Sequence, residues 1–205
     1  MKLSMRPMQP ADIKQVKEID RQAFPTLETS LSFKKELRNE IARYIVAYEL
    51  DKDDKSPSIQ TAKDSVFSRA IFKIRMLALG PPPTKQNIVG FAGVWFMAGE
   101  AHLITIAVRE VYRGLSVGEY LLAAVIDIAI DAKARFTTLE VRSSNQTAQS
   151  LYKKYGFTTT GRRKGYYSDT REDAIIMTTS DINSDDFLSR FKQLKRQLFN
   201  KMALF

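Results

Sequence analysis

The chain has 205 residues, 44% of them hydrophobic and 27% charged, with a net charge of +9 and no cysteine. That length supports one domain with a real core, and the lack of cysteine excludes disulfides, thiolate metal sites and a cysteine nucleophile together. No apolar run approaches the roughly 18–20 residues of a membrane span, and "MKLSMRPMQPAD" lacks the apolar stretch and small-residue cleavage site of a secretory leader, so the expected location is cytoplasmic.

In chain order, "LSMRPM" is a strand candidate. "PADIKQVKEIDRQAF" predicts a helix, because Ile13, Val16, Ile19 and Ala23 recur at three- and four-residue spacing. "SLSFKKELRNEI" predicts a second helix, with Ser30 or Ser32 as N-cap, and "YIVAYEL" a strand. Residues 51–87 then break the pattern: a polar loop, "DKDDKSPSIQTAKDS", precedes an amphipathic helix, "VFSRAIFKIRMLAL", which "GPPPT" terminates. "NIVGFAGVWFMA" and "AHLITIAV" predict a hairpin around "GE", with Trp95 and Phe96 in the core. "EYLLAAVIDIAIDAKA" predicts a long helix, apolar over more than one face and therefore well buried. "FTTLEV" is a strand, "QTAQSLYKKYG" a helix closed by Gly156, and "FTTTGRR" with "EDAIIMTT" a further strand pair. "SDDFLSRFKQLKRQLFNKMALF" closes the sequence as an amphipathic helix. This alternation predicts a mixed sheet with helices on both faces.

The positive charge is unevenly spread. Residues 51–87 hold seven Lys/Arg against four Asp, and residues 182–205 five against two, so these segments carry two-thirds of the net charge. In the terminal helix Phe187, Phe191, Leu194, Leu198 and Met202 form one stripe, with Lys192, Lys195, Arg196 and Lys201 off it. In the insert Val66, Ala70, Ile74 and Leu77 form another, with Arg69, Lys73 and Arg75 outside it. Such stripes pack on the domain, on each other or across a homodimer, or they dock on anionic membrane or RNA. The sequence leaves these open, and with them the choice between monomer and homodimer.

Two segments could carry chemistry. In "IAVREVYRGLSVGEYLL" a strand ending at Val108 leads through an Arg- and Gly-rich loop into a helix beginning near Gly118. Backbone N–H groups at a helix N-terminus suit a phosphate or pyrophosphate, and Arg109 and Arg113 add positive charge; the same pattern also describes a plain connection with surface arginines. In "LEVRSSNQTAQSLYKKYGF" an acid, an amide and a phenol (Glu140, Asn145 and Tyr152) share one strand-to-helix segment. These could serve proton transfer, or they could be a solvated strand-end carboxylate, an N-cap and a packed ring.

"YRGLSVG" resembles the R-x-x-G-x-G/A loop of the GNAT acetyltransferases, and "LEVRSSNQTAQSLYKKYGF" resembles the L-E-V-R-x-S-N-x-x-A-x-x-L-Y-x-x-x-G-F segment of that superfamily. "GRRKGYYSDTREDAIIMT" is similar to the R-R-x-x-Y-Y and E-D-A-I-x-M pattern of its RimI-type ribosomal-protein alanine N-acetyltransferases. The resemblance runs from about residue 3 to 179, interrupted by residues 51–85. It departs at Ser116, where the family's loop has Gly, and in "AFPTLETS", where the family's F-P-x-x-W has its Trp.

The resemblance implies an α/β GNAT fold: a mostly antiparallel mixed sheet of about seven strands, splayed between strands 4 and 5, over residues 1–180. The insert 51–87 and a basic helix at 181–205 are additions to it. It implies acetyl-CoA as acetyl donor, no metal, and acetylation of the N-terminus of a ribosomal or other protein. Glu140 takes the role of general base for an α-amine whose pKa is ~7.7–8.0, and Tyr152 that of proton donor to the departing thiolate. The cofactor contacts implied are Ile106, Ala107, Val108, Arg113, Gly114, Leu115, Ser116, Val117, Gly118, Asn145 and Tyr152, with a backbone N–H near Val108 meeting the developing oxyanion. Phe24, Pro25, Tyr166 and Tyr167 are implied for the acceptor peptide, the two tyrosines having RNA stacking as their other reading. His102, the single histidine, lies in a predicted strand. It argues against a Ser-His-Asp mechanism or a metal site and reads as structural, or as a minor contributor near the amine.

Overall fold

The computed structural model describes residues 3–26, 32–50 and 86–203. The predicted loop and helix of the insert (residues 51–85) and the candidate cap Ser30 lie outside the described residues.

Seven strands, β1 (Leu3–Pro7), β2 (Ala42–Glu49), β3 (Ile88–Met97), β4 (Glu100–Val108), β5 (Phe136–Arg142), β6 (Phe157–Tyr167) and β7 (Glu172–Thr179), form one sheet. Their order is β1-β2-β3-β4-β5-β7-β6. Every neighbouring pair is antiparallel except β4 and β5, which run parallel. A parallel neighbour requires a crossover, and α3 (Val117–Asp131) supplies it. The predicted hairpin around "GE" is the β3–β4 turn, with Met97 opposite Glu100.

Alternation along the central strands divides the core in two. Ile45 and Ala47 of β2 join one cluster, which contains Leu121, Leu122, Val125 and Ile126 of α3. Tyr44, Val46 and Tyr48 join the other, with Val16 and Ile19 of α1 (Ile13–Ala23). The expected mixed sheet with helices on both faces is what forms. The second predicted helix is shorter than expected: α2 spans only Phe33–Glu36. Beyond it the chain continues in three-residue turns (Arg38 N–H to Lys35 O, Asn39 N–H to Glu36 O), and Asn39 Oδ1 accepts the N–H of Ile41. That side chain competes with helix propagation. α2 is nevertheless anchored, by Phe33 in the core and by Glu36, which accepts the Trp95 indole N–H at 2.7 Å. Trp95 is therefore half-buried with a polar partner, not simply core.

α4 (Gln146–Lys154) follows β5 and closes, as expected, at Gly156, whose φ of +88° favours glycine. α5 (Asp185–Met202) packs on the α3 side of the sheet. Its stripe of Phe187, Phe191, Leu198 and Met202 is buried in the same core as α3, with Leu194 packed against it, so this face is used within the domain. Lys195, expected off the stripe, is buried too. Its ammonium lies 5.0 Å from the centre of the Phe191 ring and donates to both carboxylate oxygens of Asp127 at 2.8 Å. A long aliphatic stem can follow an apolar face while its charged end finds a partner. Among the described residues no helix is long and apolar enough to cross a membrane.

Candidate active site

The site arises where β4 and β5 part. They pair for four residues, the last pair being Leu103 with Leu139. At that point Ile104 is an extra residue against β3, since Val94 pairs with Leu103 and Gly93 with Thr105. A bulge bends its strand and increases local twist, and here it turns β4 away from β5. Arg109 N–H bonds Val89 O, so by antiparallel alternation the backbone groups of Ile106 and Val108 face away from β3, into the gap.

A cavity of about 270 Å³ fills that gap. Phe24, Ile106, Glu140, Asn145, Tyr152 and Tyr167 all line it, so residues from β4, β5, α4, β6 and the end of α1 converge. Glu140 is mostly buried and both of its oxygens are engaged. Oε2 lies 2.6 Å from His102 Nε2 and Oε1 lies 3.1 Å from Arg163 Nη1. The His102 hydrogen bond, opposed by burial, holds this carboxyl below its ordinary range. Tyr152 stacks obliquely on Phe157, and burial pushes its phenol far above the ordinary range. Among the described residues its hydroxyl takes no hydrogen-bond partner, so it is a protonated donor facing the cavity. Asn145 caps α4, its Oδ1 accepting the N–H of Ala148 at 3.0 Å, while its Nδ2 takes no partner among the described residues.

A polar strap frames the cavity mouth. Arg142 lies 4.1 Å over the Tyr167 ring and donates to Asp169 at 2.7 Å. Thr26 also donates to Asp169, which ties the turn after Phe24 to the β6–β7 turn. Thr26 first and Arg142 second hold Asp169 down to about 2. Thr105 adds a buried hydroxyl at the cavity with no partner among the described residues.

A family model described as the acetyltransferase (GNAT) family matches residues 46–157. The chain is 33% identical over 177 residues to a Bacillus subtilis (strain 168) protein provisionally named a ribosomal protein bS18-alanine N-acetyltransferase, covering 86% of this chain and 94% of that one. The chain belongs to the GNAT acetyltransferases. A Haemophilus influenzae relative named ribosomal protein bS18-alanine N-acetyltransferase is 39% identical over 95 residues, covering 45% of this chain and 64% of that one. The crystal structure of the ribosomal-protein-S18-alanine N-acetyltransferase from Escherichia coli superposes with a TM-score of 0.64 at 22% identity, over 90% of this chain and 97% of that one. That last likeness speaks for the fold.

GNAT acetyltransferases take their acetyl group from acetyl-CoA, and the residues here fit such a donor. At the start of α3 the first helical bond is Tyr120 N–H to Ser116 O, which leaves the preceding N–H groups without helical partners and open to phosphate. Gly114 has φ +77° and open space where a Cβ would stand, and at Gly118 a Cβ would meet only Val108, at 3.7 Å. Arg113 is exposed beside them. Ala107 and Val117 bury their side chains in the core, so only their backbones could contribute. Leu115 is half-buried, packed on the α3 side of the core.

Of the tyrosine pair only Tyr167 reaches the cavity; Tyr166 is exposed and meets its neighbour edge-on at 5.2 Å. Pro25 sits in the exposed turn and does not line the cavity. Sequence reasoning missed the contacts that His102, Arg142 and Arg163 make here. The period-2 pattern of β4 places His102 on one face, but its approach to Glu140 depends on a parallel pairing that no local signal encodes.

Proposed function

We propose that this chain is an Nα-acetyltransferase whose acceptor is the N-terminal alanine of a bS18-type ribosomal protein, working by direct attack in a ternary complex in the cytoplasm. The observation that carries the chemistry is the single cavity holding Glu140, Asn145 and Tyr152 together; the names of the relatives support the acceptor.

Glu140 Oε1 takes a proton from the α-ammonium. The N–H bond breaks, an O–H bond forms, and the pair left on nitrogen attacks the acetyl carbonyl carbon. As the C–S bond then breaks, the nitrogen loses its second proton, which replaces the one passed to sulfur, and Glu140 releases its own proton to solvent. Tyr152, kept protonated by burial, gives a hydrogen bond or its proton to the departing sulfur. The backbone N–H groups of Ile106 and Val108, turned into the gap, would meet the carbonyl oxygen as it gains charge. Arg113, Gly114, Leu115, Ser116, Val117 and Gly118 would hold the pyrophosphate and Asn145 Nδ2 would hydrogen-bond the pantetheine arm of acetyl-CoA, which would supply the activated acetyl group. Phe24 and Tyr167 wall the peptide slot, with Pro25 and Tyr166 at its outer rim.

The test is mass spectrometry of peptides after incubation with enzyme and acetyl-CoA, comparing N-terminal Ala, Ser and Met and including internal lysines. Acetylation of the Ala N-terminus ahead of the others is expected. Modification of lysine side chains alone would replace this reading, because an ε-amine with pKa ~10.4 demands more of the base.

A further inference from the structure

His102 and Glu140 are 38 residues apart in sequence, yet Nε2 and Oε2 are 2.6 Å apart. The carboxylate's two contacts differ in kind. Arg163 is half-exposed and its guanidinium also lies over the exposed ring of Tyr166 at 5.4 Å. His102 is held on β4, between Trp95 of β3 and Thr138 of β5 in the sheet register, with only 22% of its side chain exposed. The charged groups around the ring are Glu140 at Nε2, Glu100 at 3.7 Å from Nδ1, and Arg163 beyond the carboxylate. A carboxylate only accepts hydrogen bonds, so Nε2 carries its hydrogen and donates.

We infer that His102 is a positioning residue for acetyl transfer: it pins Oε2 so that Oε1 is the oxygen presented to the amine. Arg163 occupies Oε1 in the free site, and the incoming ammonium displaces it; being half-exposed, it can swing into solvent. His102 has no such freedom, so it keeps the carboxylate from turning while the proton transfers. This rests on Glu140 being the base.

The test compares wild type, His102→Leu, His102→Gln, Glu140→Gln and the Glu140→Gln/His102→Leu double variant. Nitrogen-15 NMR reads the imidazole, whose signal is unambiguous because the chain has one histidine. His102→Leu should lower kcat by about 10- to 100-fold, the scale of a mispositioned catalytic group, with both KM values within about twofold. His102→Gln should recover most of that loss, because its amide N–H replaces the donor. Adding His102→Leu to Glu140→Gln should cost little more, as expected of residues acting as a unit, and the NMR should show hydrogen on Nε2. Hydrogen on Nδ1 alone, equal losses in the Leu and Gln variants, unchanged kcat in both, or additive losses in the double variant would each overturn the proposal. If His102→Leu does not fold, His102→Gln kinetics and the tautomer still decide. A fully active Glu140→Gln removes the base itself, whereas an inactive Glu140→Gln beside a fully active His102→Leu removes only the role of His102.

Discussion

Asp127 and Glu140 are each largely buried against a cation, and they have opposite surroundings. Asp127 of α3 receives Lys195 of α5 on both oxygens, in a helix–helix interface closed by Phe187, Phe191 and Leu198. Glu140 also has both oxygens engaged, but it opens on a cavity, and one of its partners is a half-exposed arginine that can leave. In the first pair one buried lysine holds both oxygens; the second keeps one oxygen exchangeable. The same contrast runs through the two regions. Near α5, Glu119 accepts from Lys154 and from the Tyr155 hydroxyl, and Arg190 donates to the last turn of α4. Near the cleft, the Tyr152 hydroxyl and Asn145 Nδ2 lack partners among the described residues, and β4 stops pairing with β5. Substitutions in the cleft should therefore change activity at little cost in stability, and substitutions in the helical brace should do the reverse.

The largest expected effect is at Glu140. Glu140→Gln keeps the side chain's shape and should lower kcat by ~10²–10⁴ near neutral pH, the range for loss of a general base, while the melting temperature holds. The pH dependence follows from the sign of its shift. The Glu140 carboxyl lies below its ordinary range, so it is already ionised well under pH 7. The wild type, which takes the proton from the bound ammonium, should therefore hold its rate across the neutral range, whereas Glu140→Gln needs an amine deprotonated in solution and should gain rate as pH rises through ~7.7–8.0. A wild-type rate that climbs with the amine as steeply as the variant's would break this assignment. The depressed groups also set acid stability. Asp169, held at about 2, contributes stability that is fully present above the unfolded-state value of ~3.9 and is lost as pH falls from there toward 2.

Next comes Asp127→Leu, the matching break in the brace. It strands the Lys195 ammonium and should cost about 2–3 kcal/mol of stability, somewhat under the ~3–5 of a fully buried pair. Denaturant titration would measure it, with kcat expected within about twofold of wild type. The Asp127→Leu/Lys195→Met double variant should recover most of the loss, because no charge is then left unpaired. If Asp127→Leu instead lowers kcat more than stability, the division between brace and cleft is misplaced.

How much of this was legible in the sequence follows the same division. The segment "LEVRSSNQTAQSLY" places Glu140, Asn145 and Tyr152 within thirteen residues, so one strand-to-helix turn brings them to one cavity, and the sequence could show that. The hairpin, the buried helix α3 and the stripe on α5 were equally local, readable from turn residues and periodicity. His102 was not, because its contact with Glu140 needs the parallel β4–β5 register, which forms only after α3 crosses over. Lys195 falls off the apolar stripe by periodicity, which sorts by residue type and cannot see the carboxylate of Asp127 that lets this lysine be buried. α2 was overextended because the Asn39 side chain, not hydrophobic spacing, decides where the chain turns.

Smaller effects are expected at the loop proposed to hold phosphate, before α3. Arg113→Ala should weaken acetyl-CoA binding several-fold by titration calorimetry, the scale of one exposed charge-assisted contact. Gly118→Ala is the more informative change, because its Cβ would meet only Val108 at 3.7 Å, so the protein itself has room. Replacing Gly inside a helix should stabilise by about 0.5–1 kcal/mol while the added methyl crowds the bound phosphate. Affinity that falls as the melting temperature rises is the signature expected of a cleft residue; unchanged affinity in both variants means that the loop is misread.

The smallest effect falls at Ser116, where the contrast can be sharpened within one residue. Ser116 is the N-cap position of α3 with φ +62°, and its side chain makes no capping bond. A residue with a Cβ in this left-handed region carries roughly 1 kcal/mol of strain that glycine avoids, and the family pattern has glycine at this position. Ser116→Gly should therefore raise stability by about 0.5–1 kcal/mol, which for a chain of this size is about 2–4 °C in Tm per kcal/mol. Acetyl-CoA affinity should stay within about twofold, because the hydroxyl serves no local hydrogen bond. Ser116→Ala separates the two contributions, since it removes the hydroxyl and keeps the strained backbone. If the strain account holds, Gly gains stability and Ala does not. If both variants lose affinity several-fold while only Gly gains stability, the Ser116 hydroxyl contacts the phosphate, and the strain persists because the residue belongs to the cleft.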